Sequence, residues 1–218
     1  MLFQDRHDAG KQLAAALYSF KGQDCVVLAL PRGGVPVAAE VADALQAPLD
    51  LLLVRKIGAP NQPELAIGSV IDGGALIVVR DNDLIRLTGT SEATFDEICN
   101  HELVEIDRQR KVYMDEGGAV PIQDRIAIVV DDGLATGNSM RAALQAARMR
   151  NPRMLVMAVP VAPANTLMEF SSEADSVICL QTPQRFGAVG HFYVDFSPVS
   201  DAEVVALMRA HGTEKVAE

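Results

Sequence analysis

The sequence predicts an α/β fold, a mostly parallel sheet with helices on both faces, and three observations predict it. Apolar runs at 24–30, 49–54, 126–130, 154–159 and 176–180 alternate with helical patterns at 35–46, 139–149 and 163–171, the order that strand–helix–strand units produce. The runs are continuously apolar, as suits strands buried on both sides. Two of them break straight into turns of small residues that open a helical pattern, which is where open α/β sheets bind ligands.

Taken in order, the first such turn follows Cys25-Val26-Val27-Leu28-Ala29-Leu30. Pro31-Arg32-Gly33-Gly34 then leads into a helix with Val35, Ala38, Ala39, Ala42 and Leu45 on its apolar face. Two glycines let the backbone approach a ligand closely, and Arg32 offers a guanidinium fork matched to diphosphate oxygens. An ordinary turn with a solvated arginine fits the same residues. The next run, Leu51-Leu52-Leu53-Val54, delivers Arg55 and Lys56 at its carboxyl end, before Ile57-Gly58-Ala59-Pro60. Two cations there are costly to desolvate unless an anion is expected. Residues 61–120 break the alternation: strand-like runs at 64–71 and 75–80 flank Gly73-Gly74, which suits a hairpin turn. Ser91 then caps a long helix with Phe95, Ile98, Cys99, Leu103 and Ile106 at helical spacing. This is read as an insertion in one domain spanning 1–218, whose core lies at about 24–60 and 121–180.

The chemistry concentrates after Ile126-Ala127-Ile128-Val129-Val130. Asp131-Asp132-Gly133-Leu134-Ala135-Thr136-Gly137-Asn138-Ser139 places two adjacent carboxylates where a buried strand breaks into a turn. A turn of small residues entering a helix N-terminus points free N–H groups at an anion. Carboxylates beside such a cradle suit a ligand that has phosphate together with hydroxyls or a metal, and a phosphorylated sugar fits. A solvated acidic turn is the plainer alternative.

This segment resembles the 5-phosphoribosyl diphosphate (PRPP) signature of type I phosphoribosyltransferases: an apolar strand, two acidic residues, a short spacer, then Thr-Gly-x-Thr or Ser. Thr136-Gly137-Asn138-Ser139 matches with Ser in the last place, while Ala135 stands where many members have another Thr. Arg32-Gly33-Gly34 is similar to the pyrophosphate loop of some purine-using members. The Arg-Lys-x-Gly-x-Pro pattern at 55–60 is similar to a segment of adenine phosphoribosyltransferases in which a basic residue contacts the PRPP phosphates. The resemblance covers roughly residues 24–160.

The resemblance implies a Rossmann-like three-layer α/β/α fold with a flap between Gly58 and Gly89 and a C-terminal hood at about 181–218. It implies Mg²⁺-dependent transfer of the 5-phosphoribosyl group from PRPP to a nitrogenous, purine-like base, with release of pyrophosphate. Asp131 and Asp132 would hold the ribose 2- and 3-hydroxyls directly or through Mg²⁺, as catalytic and metal-binding residues. Ala135, Thr136, Gly137, Asn138 and Ser139 would wrap the 5-phosphate, and Arg32, Gly33, Gly34, Arg55 and Lys56 would hold the pyrophosphate. In the hood, Phe186, Phe192, Tyr193 and Asp195 are the base-binding candidates, because aromatics cluster there in a chain that is only 5% aromatic. Core packing of those aromatics in a short edge strand is the competing expectation, and the base role rests on family analogy.

Composition narrows the field further. A hydrophobic content of 49% with 22% charge is that of a globular chain, and the net charge of -10 argues against a nucleic-acid or anionic-membrane surface. Without a signal-peptide pattern or an apolar run of spanning length, a cytoplasmic protein is expected. A homodimer is expected too. Cys25, Cys99 and Cys179 are odd in number and widely spaced, which supports neither disulfides nor zinc. His7, His101 and His211 show no partner pattern and are read as surface residues, and His191 as a satisfied or solvated imidazole. Two rivals to the transferase stay open. One is a noncatalytic PRPP- or nucleotide-sensing regulator on the same fold, and the other is a hydrolase or Mg²⁺-dependent phosphatase, which would not need Arg32-Gly33-Gly34 or Arg55-Lys56.

Overall fold

The structure, a computed structural model, describes residues 2–72, 76–113 and 119–211. From the N-terminal end, α1 (Arg6–Ala16) precedes β1 (Cys25–Ala29), α2 (Gly34–Leu45) and β2 (Leu49–Leu51). Next come β3 (Leu53–Ala59), β4 (Gln62–Asp72), β5 (Leu76–Arg80), α3 (Asn82–Thr88) and α4 (Glu92–Tyr113). The alternation then resumes with β6 (Ile126–Val130), α5 (Asn138–Met149), β7 (Met154–Val161), α6 (Ala164–Glu169), β8 (Ser176–Gln181) and α7 (Asp201–Ala210).

The main sheet is parallel, in the order β2-β1-β6-β7-β8. Its apolar runs are continuous because alternate residues serve opposite helix layers. Val27, Ala29, Ile128 and Val130 face Leu13 and Leu17 from the N-terminal segment and Val35, Val41 and Leu45 of α2. Val26, Leu28, Ala127 and Val129 face Met140, Ala143, Leu144 and Ala147 of α5. Each fully buried Val or Leu of these layers contributes roughly 1.5–3 kcal/mol of transfer free energy. The result is the expected three-layer α/β fold.

The apolar stretch at 49–54 is not one strand. Leu52 N donates to Ala29 O at 3.0 Å, the last bond to the main sheet, and the chain then crosses into a second, antiparallel sheet of order β3-β4-β5. Leu53 to Ile57 pair in register with Asp72 to Gly68, and the register slips around Gly58. The insertion therefore begins at 53 rather than 61. Arg55 and Lys56 lie in the middle of β3, not at the carboxyl end of a core strand. A run of apolar residues cannot show where a chain changes sheets, since both sheets want the same residue types.

Ser91 caps α4 as read, with Thr94 N donating to Ser91 Oγ at 3.1 Å, and Phe95, Cys99 and Ile106 are buried on that helix. β4 and β5 pair antiparallel, but the Gly73-Gly74 turn between them lies outside the described residues. Helix α1 escapes the periodicity reading because its buried face is built largely of Ala9, Gly10, Leu13 and Ala14. A Cβ on Gly10 would sit 2.7 Å from Val37 O, so α1 and α2 touch where a side chain is missing. Among the described residues after β8 no further strand forms: Val189–Phe192 is a 3₁₀ turn. Backbone bonds then tie the two ends of the fold together, from Phe3 N to Phe192 O at 2.9 Å, Val194 N to Phe3 O at 2.8 Å and Asp195 N to Gln4 O at 2.8 Å.

Candidate active site

Sheet order singles out one crevice. From β1 the chain crosses to β2 on one side, whereas β6 lies on the other side and leads on to β7. With α2 over one face and α5 over the other, the loops after β1 and β6 part at this switch point, where α/β sheets take ligands. Residues 31–34 and 131–137 are those two loops.

They meet closely. A Cβ on Gly33 would fall 2.1 Å from Asp132 Oδ2, and one on Gly34 would fall 2.8 Å from Val130 O and 2.9 Å from Asp131 Cα. Gly33 has helical dihedrals (φ -61, ψ -35), so room for the aspartates, and not an unusual backbone conformation, requires glycine there. The Pro31–Arg32 peptide is cis.

Both carboxyls are held above the ordinary carboxylate range. For Asp131, burial raises the value and the adjacent Asp132 charge raises it further, against the Asp132 backbone N–H and Arg6. For Asp132, burial raises it and Arg6 lowers it. Asp131 Oδ1 accepts from Asp132 N at 2.8 Å. Asp132 Oδ2 accepts from Arg6 Nε at 2.8 Å, with only 10% and 14% of the two side chains exposed. Arg6 was not foreseen. It stands at the first turn of α1, 126 residues away in sequence, and nothing in its neighbourhood marks it. A low exposure for a lone basic residue is what would have flagged it, and that is a property of the fold.

On the other side of the aspartates, Gly137 (φ 74) is the N-cap of α5 and no side chain caps the helix, so the first N–H groups point at the loop. Its glycine is needed twice, for the left-handed backbone and because a Cβ would meet the Phe170 ring at 2.7 Å. Thr166 Oγ1 donates to Ala135 O at 3.1 Å and anchors the loop. Ala135, Thr136, Asn138 and Ser139 are exposed at its rim.

The cations predicted from sequence each face a carboxylate. Arg32 NH1 lies 3.3 Å from Asp201 Oδ1 at the start of α7, an oxygen that also accepts from Tyr113 OH at 2.5 Å. Arg55 Nε is 2.7 Å from Glu102 Oε2 and Lys56 Nζ is 2.6 Å from Glu64 Oε2. Arg55, Lys56, Gly58, Ile98, Glu102 and Ser139 are among the residues lining a cavity of about 500 Å³. The structure thus places Arg55, Lys56 and Ser139 on the wall of one cavity.

The four hood candidates divide. Tyr193 is a core residue, 5% exposed, its ring against Phe3 and Phe196 and its hydroxyl donating to Asp132 O at 2.6 Å. Phe186 and Phe192 stack on each other with centroids 5.4 Å apart, and Phe192 also lines a cavity of about 440 Å³ with Leu2, Gln181, Thr182, Pro183 and His191. Asp195 is exposed, and its Oδ1 accepts from Ser197 N and Oγ at 2.9 and 2.6 Å. The histidines read as partnerless have carboxylate neighbours: His7 with Glu40 at 2.9 Å, His101 with Glu102 at 3.3 Å, and His211 with Asp43 at 3.0 Å. Among the described residues no three His, Cys, Asp or Glu gather into a metal cage, and no helix is long and apolar enough to cross a membrane.

Known proteins are similar to this chain over nearly its whole length. Two Mycobacterium tuberculosis proteins, of strains H37Rv and CDC 1551, both provisionally named phosphoribosyl transferases, are 46% identical over 211 residues, 96% of this chain. The chain spans about half of their length, 47%. The crystal structure of TT1426 from Thermus thermophilus aligns over 98% of this chain and 100% of that one, at 39% identity and a TM-score of 0.79. A profile of the phosphoribosyl transferase domain matches residues 4–197, a span that takes in both loops, the aspartate pair and Arg6. The chain belongs to the phosphoribosyl transferase domain family.

Proposed function

We propose that the chain transfers the 5-phosphoribosyl group of PRPP to a nitrogenous, purine-like base and releases pyrophosphate. One observation carries the reading: an aspartate pair wedged between a Gly-Gly loop bearing Arg32 and an uncapped helix N-terminus, at the switch point of a parallel sheet. In this reading the α5 N-terminus and residues 135–139 take the 5-phosphate. Asp131 and Asp132 take the ribose hydroxyls, and the loop at 32–34, with Arg55 and Lys56, takes the diphosphate. The bond from the anomeric carbon to diphosphate oxygen breaks, the bond to a ring nitrogen of the base forms, and the base N–H proton leaves to solvent. The protein's part is positioning and electrostatics: cations meet the departing charge and carboxylates face the developing cationic ribosyl group. The cavity bordered by Phe192, Thr182 and His191 is where we place the acceptor.

The donor set at the aspartates fits Mg²⁺. This ion is held through one or two carboxylates, with substrate phosphates and water completing an octahedron, so a two-carboxylate site with no protein cage is of the right kind. Asp131 and Asp132 would hold it, meeting the ribose hydroxyls directly or through the ion. When bound, the ion would neutralise charge on the diphosphate. The test is a panel of purine and pyrimidine bases with PRPP and Mg²⁺, read as base-dependent pyrophosphate release. PRPP binding without release for any base would favour the sensing regulator, and no PRPP binding would end the phosphoribosyl reading.

A further inference from the structure

Resting on that reading, we propose that Arg6 is a positioning residue for the transfer, holding Asp132 in one orientation toward the ribose. Three contacts fix the guanidinium: Nε to Asp132 Oδ2 at 2.8 Å, NH1 to Ser197 O at 2.8 Å, and the face of the Phe196 ring 3.9 Å from the guanidinium carbon. Two of the three anchors belong to the C-terminal hood, so a side chain from the N-terminal helix is oriented by one end of the fold and orients a carboxylate in the middle of it. Asp132 Oδ2 fills space left free by Gly33, where a Cβ would sit 2.1 Å away. Tyr193, also of the hood, holds the Asp132 backbone carbonyl at 2.6 Å. Arg6 therefore holds Oδ2, which leaves Oδ1 as the oxygen we assign to the substrate side.

A buried ion pair gives little net stability over an apolar replacement of like volume. A planar fork held at two points suits orientation, which an ammonium on a flexible stem does not provide. Misplacing a reacting group by about 1 Å can cost on the order of 10² in rate. Arg6 touches no substrate atom in this scheme, so its effect must pass through Asp132.

The experiment is a kinetic double-mutant cycle with Arg6→Met, Arg6→Lys, Asp132→Asn and Arg6→Met/Asp132→Asn, together with calorimetric titration of each protein with PRPP in Mg²⁺ buffer. The expected result is a fall in kcat of about 10–10² for Arg6→Met with KM for PRPP changed far less, partial recovery in Arg6→Lys, and a double variant no slower than Asp132→Asn alone. Losses that multiply, or an Arg6→Met protein of full kcat, overturn the role of Arg6 while leaving the phosphoribosyl reading intact. Should Arg6→Met not fold, Arg6→Lys decides alone, a severalfold loss of kcat supporting the role and full activity overturning it. A wild-type protein that binds no PRPP overturns both.

Discussion

Asp132 occupies the space that a side chain on Gly33 would need: the position a Cβ of residue 33 would take is 2.1 Å from Asp132 Oδ2. The loop after the first strand and the carboxylate after the sixth are thus packed together, and a side chain cannot be added at 33 without moving the carboxylate. Gly33→Ala keeps ordinary backbone dihedrals and so tests sterics alone. We expect it to cost about 1–3 kcal/mol of stability, as overpacking does, and to cut base-dependent pyrophosphate release at least tenfold. Thermal unfolding and steady-state rates measure both, and a wild-type rate with an unchanged Tm would refute the coupling.

Asp131→Asn should stabilise the fold while cutting turnover by on the order of 10². Burial and the Asp132 charge raise the Asp131 carboxyl in the folded chain, so the native state holds this proton more tightly than the unfolded one and ionisation costs stability as pH rises. The gain from the amide is therefore fully present above the folded-state value and fades as pH falls into the ordinary carboxylate range. Its size should be about 0.5–2 kcal/mol, and denaturant melts at pH 8 and pH 4 check it.

Tyr193→Phe removes the hydroxyl that donates to Asp132 O at 2.6 Å. Leaving that half-buried carbonyl without its donor should cost about 1–3 kcal/mol. If Tyr193 is core, acceptor preference will not change; a changed preference among bases would return it to the base site.

Lys56→Ala should weaken binding of PRPP and pyrophosphate and leave binding of a nucleoside monophosphate nearly unchanged, as the lysine is assigned to the diphosphate. Its present partner, Glu64, is 94% exposed, and such pairs contribute roughly 0–1 kcal/mol, so Tm should hardly move. Equal losses for the three ligands by calorimetry would contradict the assignment.

The parts of the molecule that could be read from sequence were those in which the local pattern and the tertiary environment make the same demand. Val26 to Ala29 and Ile126 to Val130 are apolar without a break because helices lie on both faces, and Gly137 and Ser91 mark helix starts by local stereochemistry. The crossing at Leu52 was hidden, since β2 and β3 both need apolar residues, and Arg55 and Lys56 were misplaced with it. Arg6 and Asp201 were hidden for a different reason: each reaches its partner, Asp132 or Arg32, across more than a hundred residues. No spacing rule spans that distance. The aromatic cluster at 186–196 showed its composition but not its packing, and so could not tell Tyr193, which is enclosed, from Phe192, which borders a cavity.

The Arg6 to Ser197 bond closes a loop of 191 residues, and this sets an order of events during folding. Pairing of β1 with α2, or of β6 with β7, brings together segments close in the chain, whereas α1 meets Phe196 and Ser197 only once 191 further residues are available. The entropic penalty of such a closure grows slowly with length, but it must be met before the contact returns anything, so non-local contacts form late. In refolding from denaturant, helical signal should therefore recover ahead of catalytic competence, and the interval between them should lengthen when Phe196 is changed to Ala and the last contact is weakened. A chain still emerging from the ribosome would have the strands of its sheet before it could fix Asp132, which must wait for residues 196 and 197.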